Sequence, residues 1–308
     1  MIIYNSVDIT NSVQPVALTV TDNAGGKPDR ISAAFADPDG MWNRWKPAKG
    51  DTIQVKEGGF DSGVMYIDQL TQTAGSFGLA ALSITQESKS ARSQSWEDVR
   101  LMEIVTEIAA RHGFTVQIYG IDNHHYDRVD QLEEPDFAFL ARRSLIEGYA
   151  LKISNRSLVI YDELTEEQKT ADPKLATIRV NQMNGGFRFE SKSTDIFRKC
   201  IVRSQYGGGY LEGVFEDTGI NGPTVKHNLH STNIAEADRW ARGILRSYNK
   251  HQVTGFFTIN LNTNFAAGTV VDIHNTGMFD GKYFIDQLTH DLTNNRTRMT
   301  VRKPLNGY

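Results

Sequence analysis

One run of five residues occurs twice in this chain, and that repeat constrains the fold more than any other feature. Ile67-Asp68-Gln69-Leu70-Thr71 recurs 218 positions later as Ile285-Asp286-Gln287-Leu288-Thr289. The same offset relates, without a gap, Gly50 to Gly268, Ile53 to Val271, Val55 to Ile273, Gly63 to Gly281 and Tyr66 to Phe284. Self-similarity at a fixed offset is typical of one structural unit used twice. We therefore predict a duplicated β domain with a segment inserted between the copies.

The repeated polar residues are predicted to serve the fold rather than catalysis, because a catalytic acid need not be duplicated. The structural repeat positions are Gly50, Asp68, Gln69, Thr71, Gly268, Asp286, Gln287 and Thr289. If the duplication is real, Asp68 and Asp286 occupy equivalent positions, and residues 50–71 superpose on residues 268–289.

Composition excludes several classes of protein. The 308 residues are 39% hydrophobic and 23% charged, as in globular chains of two or three domains, and the net charge of −4 disfavours a dedicated nucleic-acid binder. The single cysteine, Cys200, permits no intramolecular disulfide and is expected as an apolar filler in a strand. No apolar run reaches the roughly 18 residues of a membrane span, and the N-terminus lacks the pattern of a secretory signal. We expect assembly in the cytoplasm, without membrane insertion.

Residues 1–88 are predicted to form the first copy. Val16, Leu18 and Val20 alternate with polar or small residues, the period of a strand with one buried face. Several such short runs, separated by turns rich in Gly, Asp and Ser, indicate an antiparallel barrel or sandwich. Trp42 and Trp45 precede Gly50; they are predicted either to close one end of the barrel or to anchor a partner protein.

Residues 89–175 are predicted to form an α/β insert with a linker. The run Ser95 to Asp98 resembles a capping box before a helix whose stripe ends at Gly113, and a second helix is expected from Pro135 to Gly148. A hairpin is predicted to turn at Asn155-Arg156. The polar stretch from Leu164 to Lys174 reads as the linker.

Residues 176–308 are predicted to form the second copy. Gly207-Gly208-Gly209 is expected as a flexible hairpin tip. An apolar stripe from Ala237 to Tyr248, capped at Thr232 or Asn233, predicts a helix that has no counterpart in the first copy. The fold class is therefore α+β, mainly β: two duplicated, tail-tube-like antiparallel β-barrels with a small α/β insert between them.

Candidate chemical groups all have simpler structural explanations. The adjacent pair His124-His125 diverges in most backbones, and His227 and His230 are expected in a loop without a third metal ligand. Glu133, Glu134 and Asp136 crowd a helix start, where negative charge is favourable.

Glu212, Glu216 and Asp217 resemble a glycosidase pair, but their alternation is that of the solvated face of a strand. The chain has no nucleotide-binding, serine-hydrolase or zinc-protease motif. We expect no enzyme activity, catalytic residue, cofactor or metal.

Several segments together resemble a known family. Gln131 to Arg143, followed by Glu147-Gly148-Tyr149, is similar to the Q-x-x-E-x-D-x-x-F-L-x-R-L…E-x-G segment of the phage late control gene D family. These are tail baseplate hub proteins, related to the hub half of type VI secretion spikes. Other matching segments are Gly50 to Ile53, Tyr66 to Asp68, Trp240 to Leu245, Tyr248-Asn249 and Gly281 to Tyr283. Pro135 stands where many members have Ser.

The resemblance implies a structural protein of a virion or tail-like particle. It implies a homotrimer whose six barrels form a pseudo-sixfold ring, with the tail tube protein on one side and the central spike protein on the other. It also implies contacts with tape measure and other baseplate proteins, and DNA only as cargo in the lumen. Because Tyr308 follows the second copy directly, no fused lysozyme or spike domain is expected. A cell-wall hydrolase of the tail tip and a carbohydrate- or peptide-binding β module remain open as alternatives.

Overall fold

The computed structural model describes residues 1–171, 177–206 and 209–308. The first 82 residues form eight strands and one short helix. Their bounds are β1 Ile2–Tyr4, β2 Val7–Asp8, β3 Gln14–Asn23, β4 Arg30–Ala36, α1 Met41–Trp45, β5 Thr52–Glu57, β6 Phe60–Asp61, β7 Met65–Thr73 and β8 Ser76–Leu82. Leu18 and Val20 on β3 are buried, as their alternation predicts, but Val16 is 54% exposed because the register of β3 against β4 shifts between Pro15 and Ala17.

The next segment mixes helices with short strands. Its elements are β9 Ala91–Arg100, α2 Leu101–Arg111, β10 Thr115–Tyr119, β11 His125–Pro135, α3 Asp136–Ile146, β12 Tyr149–Ser154, β13 Ser157–Asp162 and α4 Glu163–Gln168. The hairpin between β12 and β13 turns at Asn155 and Arg156, both with positive φ (46° and 56°). Two such residues fit the turn whose twist matches that of the flanking strands.

The remaining chain is mostly strands, with one long helix. Its elements are β14 Thr177–Arg179, β15 Met183–Ser191, β16 Lys199–Tyr206, β17 Gly209–Glu216, β18 Thr224–Asn228, α5 Ile234–Asn249, β19 Val253–Asn260, β20 Val270–His274, β21 Gly281–Asp291 and β22 Arg296–Arg302. Helix α5 begins after Asn233, whose side-chain oxygen accepts the backbone N–H of Glu236 at 2.9 Å. The predicted helix and one of its two predicted caps are therefore confirmed.

The two predicted copies join edge to edge in one sheet. A 14-stranded sheet runs in the order β15-β19-β22-β21-β3-β4-β8-β7-β5-β1-β2, with β6, β14 and β20 attached beside this path. Strand β3 of the N-terminal part pairs antiparallel with β21 of the C-terminal part. The fold is mainly β, as predicted. The strands of the described residues form no closed barrel, because each copy stays open where it meets the other.

Three hydrophobic cores lie along this architecture. One is built from β1 to β8 and α1 and includes the fully buried Trp42, and a second from β14, β15 and β19 to β22 includes the fully buried Tyr283. The third joins α2, α3, β12 and β13 of the insert to β16 and α5. Helix α5 and the sheet β17-β16-β18 therefore pack with the insert although they follow β15 in the chain. This explains why α5 has no counterpart in the first copy.

Three local expectations need correction, two in the insert and one in the second copy. The run Ser95 to Asp98 is not a helix cap; it lies on β9, which pairs with β11, and Trp96 on this strand is buried against Phe139 of α3. Helix α2 begins only after Arg100, whose N–H donates to Glu103 at 2.7 Å.

The predicted linker contains helix α4, and residues 172–176 at its end lie outside the described part. His227 lies on β18 rather than in a loop, because β18 pairs in parallel with β16.

Candidate assembly interface

The repeated motif has the same backbone geometry in both places. Gly50 and Gly268 have φ of 89° and 91°, values that only glycine adopts readily. Their N–H groups donate to the carbonyl oxygens of Ile67 and Ile285, at 2.8 and 2.9 Å. The paired strands also match: Ile53 faces Met65 on β5 and β7, and the residues 218 positions later face each other on β20 and β21. The same unit of one turn and one strand pair therefore occurs twice in the chain.

Each repeated aspartate lies at a β-bulge. On β7 the register against β8 shifts between Ile67 and Gln69, which leaves Asp68 as the extra residue. On β21 the register against β22 shifts between Ile285 and Gln287, which leaves Asp286 as the extra residue. A bulge bends the strand and strengthens its twist. The shared Ile-Asp-Gln run therefore marks the place where both long strands bend.

The two aspartates have different neighbours beyond the backbone. The Lys89 ammonium and the Gln86 side-chain amide both donate hydrogen bonds to the Asp68 carboxylate, and these bonds lower its pKa. Burial by itself would raise the pKa of Asp286, but the charge of Arg302, at 2.7 Å from Nε to Oδ1, and the hydrogen bond of His251 at 3.0 Å outweigh burial and lower it. Both carboxylates are held ionised by structural partners.

The copies meet at a short antiparallel ladder between β3 and β21. Thr19 to Asn23 pair with Gln287 to Asp291, with Thr21 opposite Thr289. The two Thr hydroxyl oxygens lie 3.0 Å apart, and the Gln287 amide donates to the Asn23 side-chain oxygen at 2.7 Å. Two of the repeat positions, Gln287 and Thr289, thus make the contact between the copies.

A buried ionic cluster links the second copy to the insert. Arg302 of β22 contacts Asp286 of β21 and both Glu163 and Glu167 of α4. Arg246 of α5 contacts the same two glutamates, and Lys250 lies 3.1 Å from Glu163. Three basic groups thus face three carboxylates. Burial would raise the pKa of Glu163, but the charge of Arg302 and its basic neighbours lowers it well below the ordinary range.

The two tryptophans differ in exposure. Trp42 is 0% exposed and stacks on Phe77, with ring centroids 4.7 Å apart. Trp45 is 36% exposed and lies edge-on to Trp42 at 5.1 Å. Trp42 thus fills the first core, and a partner contact remains a proposal for Trp45 alone.

The candidate chemical residues do not converge. His124 contacts the Tyr149 hydroxyl at 3.1 Å, whereas His125 contacts Asp98 at 2.7 Å, and the described residues contain no cluster suited to a metal ion. Glu133 and Glu134 lie on β11 near its end at Pro135, and Asp136 begins α3. Cys200 is buried on β16, and burial raises the pKa of its thiol to about 12.

The acids of the second copy are paired surface groups. Glu212 accepts a hydrogen bond from Arg203 at 2.6 Å, and Glu216 accepts one from Arg198 at 2.8 Å. Four residues along a strand separate their backbones by ~13 Å, farther apart than the carboxyl pairs of glycosidases. The solvated strand face predicted for these acids is confirmed for Glu212 and Glu216 on β17, whereas Asp217 lies just after the strand ends.

Gly207 and Gly208 of the predicted hairpin tip lie outside the described residues. Within the described ranges, no helix is long and apolar enough to cross a membrane.

Sequence reasoning missed the ionic cluster and the ladder between β3 and β21. One signal was available for the cluster: Glu163 and Glu167 are spaced i, i+4 on a helix, with no basic partner at that spacing. Acids on one helical face without local partners indicate contacts elsewhere in the fold.

Comparison with known proteins supports a tail-associated fold. No family model matches the chain. Over 171 residues, 52% of this chain, the sequence is 26% identical to a probable baseplate hub protein of Escherichia phage 186, and the match spans 43% of that relative's length.

Two solved structures share the fold. The 43 kDa tail protein of prophage MuSo2 from Shewanella oneidensis has a TM-score of 0.72 at 14% identity, covering 94% of both chains. A component of the type VI secretion system of E. coli has a TM-score of 0.62 at 10% identity, covering 96% of this chain and 76% of that one. The resemblance of this chain to phage tail baseplate hub proteins is thereby confirmed.

Proposed function

We propose that this chain is the structural hub of a phage tail baseplate or of a related tail-like particle. Three copies form a ring of six tube-like β units that seats the tail tube on one side and the central spike on the other. The protein acts by assembly, without catalysis. The same resemblance extends the proposal to the late control gene D family and to contractile injection systems.

One observation carries this proposal: the chain contains the same turn, strand pair and bulge twice, and its two copies are joined through the ladder between β3 and β21. A ring that matches a sixfold tube with three chains requires two compatible units in each chain. The similarity to a probable baseplate hub protein and the shared fold with a prophage tail protein support the same assignment.

The partners follow from this role. A tube-to-spike adaptor contacts the tail tube protein, the spike protein, the tape measure protein and further baseplate proteins, and DNA passes only through its lumen. The mature location is the virion baseplate or the equivalent part of a tail-like particle.

The proposal is tested with purified protein and with tube and spike proteins from the same genome. Light scattering is expected to give three times the chain mass, and electron micrographs a ring with six lobes. Pull-downs are expected to retain both the tube and the spike protein. A chain that stays monomeric at high concentration and retains neither protein would contradict the proposal, and so would digestion of peptidoglycan by the purified chain.

A further inference from the structure

Two strand edges in the described chain correspond to the two sides of the internal ladder. In that ladder, Gln287 to Asp291 of β21 pair with Thr19 to Asn23 of β3. The residues of β7 that match Gln287 to Asp291 are Gln69 to Thr73, because the repeat offset and the bulge are shared.

The match to β3 in the second copy is β15. Leu18 of β3 faces Ala33 of β4, and Phe187 of β15 faces Phe257 of β19 at the corresponding place in its own sheet. Thr19 to Asn23 therefore correspond to residues 188–192.

Both edges lack a partner strand within residues 1–171, 177–206 and 209–308. Strand β5 pairs with β7 only at Tyr66 and Met65, so the edge from Gln69 onward is open. On β15 the Lys192 N–H donates to the carbonyl oxygen of Gln252, so the backbone groups of Lys192 point toward β19. Because backbone groups alternate in direction along a strand, those of Glu190 point the same way. The backbone groups of Phe189 and Ser191 therefore point to the open side.

Apolar side chains at the open edges are more exposed than their counterparts in the internal ladder, as expected if a contact partner is missing. Leu18 on β3 is 6% exposed beneath the internal ladder, whereas its counterpart Phe187 is 44% exposed. Leu288 on β21 is fully buried, whereas its counterpart Leu70 is only partly buried. The open part of β7, Gln69 to Thr73, also carries no charged residue, although charge is a usual protection for a free edge.

We infer that β7 of one chain pairs antiparallel with β15 of a second copy of this chain, with Thr71 opposite Glu190. This inference rests on the proposed function and deepens it by naming the strands and the register that join neighbouring subunits. The contact is head to tail, since the two edges differ, and such contacts close into rings when the rotation allows. With two units per chain, every junction of the six-unit ring then has the same ladder.

The register also fixes which residue pair lies closest. In the internal ladder Ala24 donates to Asp286 and Leu292 donates to Leu18, so Thr21 and Thr289 form a non-hydrogen-bonded pair. Side chains of such pairs approach most closely. Their counterparts across the subunit boundary, Thr71 and Glu190, therefore suit a disulfide if both are replaced by cysteine.

The experiment mixes two variants with different tags, Thr71→Cys and Glu190→Cys, under mild oxidation. Buried Cys200 is the natural cysteine in both and is expected to stay unreacted. A covalent heterodimer is expected in non-reducing gels of the mixture, and little product from either variant alone. The matched control uses Ser191→Cys in place of Glu190→Cys. Because the Ser191 side chain points to the opposite face of the strand, the yield of covalent heterodimer is expected to be at least about fivefold lower.

The outcomes separate this inference from the proposed function. A trimer that gives no Thr71–Glu190 link, or that links the Ser191 variant equally well, overturns the register while the hub proposal stands. A chain that remains monomeric overturns both. A link confined to the Thr71 and Glu190 pair within a trimer supports both.

Discussion

Arg302 joins parts of the molecule that are far apart in sequence. It is fully buried on β22, its guanidinium lies 4.5 Å from the centroid of the Phe284 ring, and it contacts carboxylates of α4 and β21. The charges of Glu163, Asp286 and Glu167 outweigh its burial and raise its pKa above the ordinary range. An arginine in such a site is stabilising only while its carboxylates remain, because an unpaired buried charge is costly.

Replacing one carboxylate of this cluster is expected to destabilise the fold. Glu163→Gln keeps the side-chain volume but leaves Arg302 and Arg246 short of one negative charge, so we expect a loss of roughly 3 kcal/mol in the free energy of unfolding. The matched control is Glu166→Gln on the same helix, where the partner is the exposed Lys169 and the loss should stay below about 1 kcal/mol. Urea unfolding measures both. Equal losses would show that the cluster contributes no more than a surface pair.

The same cluster predicts a pH dependence of stability. The pKa values of Glu163 and Asp286 are lowered by folding from ordinary values of 4.5 and 3.8. Above those values the ion-pair stabilisation is complete; as pH falls below them the unfolded chain takes up protons first, so the free energy of unfolding falls. Urea unfolding between about pH 3 and pH 7 should show this decline below about pH 4.5. The decline should be shallower in Glu163→Gln, and identical slopes in both proteins would contradict the assignment.

At the scale of elements, helix α5 shows where packing overrides local preference. Gly243 lies in the middle of α5, where Ala is favoured by about 1 kcal/mol. A Cβ at this position would lie 2.3 Å from the carbonyl oxygen of Ile146 and 2.8 Å from the nitrogen of Gly148, at the end of α3. Gly243 therefore permits the close crossing of α5 and α3 that joins α5 to the insert.

Gly243→Ala is expected to lower the free energy of unfolding by about 2 kcal/mol, because the overpacking at α3 exceeds the gain in helix propensity. Gly78→Ala on β8 is the control, since its Cβ would meet its nearest neighbour at an ordinary 3.6 Å. Thermal and urea unfolding of both variants provide the measurement. Stabilisation by Gly243→Ala would mean that the two helices separate easily.

Elements with a strong local period were predictable, and elements fixed by distant partners were not. The face of α2 follows from helical spacing, and the cap of α5 was narrowed to Thr232 or Asn233, of which the structure uses Asn233. The run from Ser95 to Asp98 has the local pattern of a helix cap, yet it is a strand because it pairs with β11 and Trp96 stacks on Phe139 of α3. Helix α4 resembled a linker because its buried face is made of glutamates whose basic partners lie on α5 and β22.

At the scale of the whole molecule, the repeat predicted two copies but not how they meet. Identical residues at a fixed offset specify the turn, the strand pair and the bulge, since each of these is a local structure. In the ladder between β3 and β21, the residues of β21 belong to the repeat but those of β3 do not, so no pattern in the sequence indicated this pairing. Among the described residues the two copies form one open sheet rather than closed barrels, and the ladder between β3 and β21 is where one copy gives an edge to the other.

The proposed subunit contact makes a last prediction for the assembled protein. Phe187 and Phe256 are 44% and 51% exposed on neighbouring strands, but Phe187 lies at the open edge of β15 and faces the core side. Phe187→Ser removes apolar surface that the second copy would cover, so we expect the dissociation constant of the trimer to rise about tenfold, equivalent to about 1.4 kcal/mol. Phe256→Ser is the matched control and should leave self-association unchanged. Sedimentation equilibrium measures both, with circular dichroism to verify folding. A larger effect from Phe256 would place the subunit contact on the outer face of the sheet instead of at its edge.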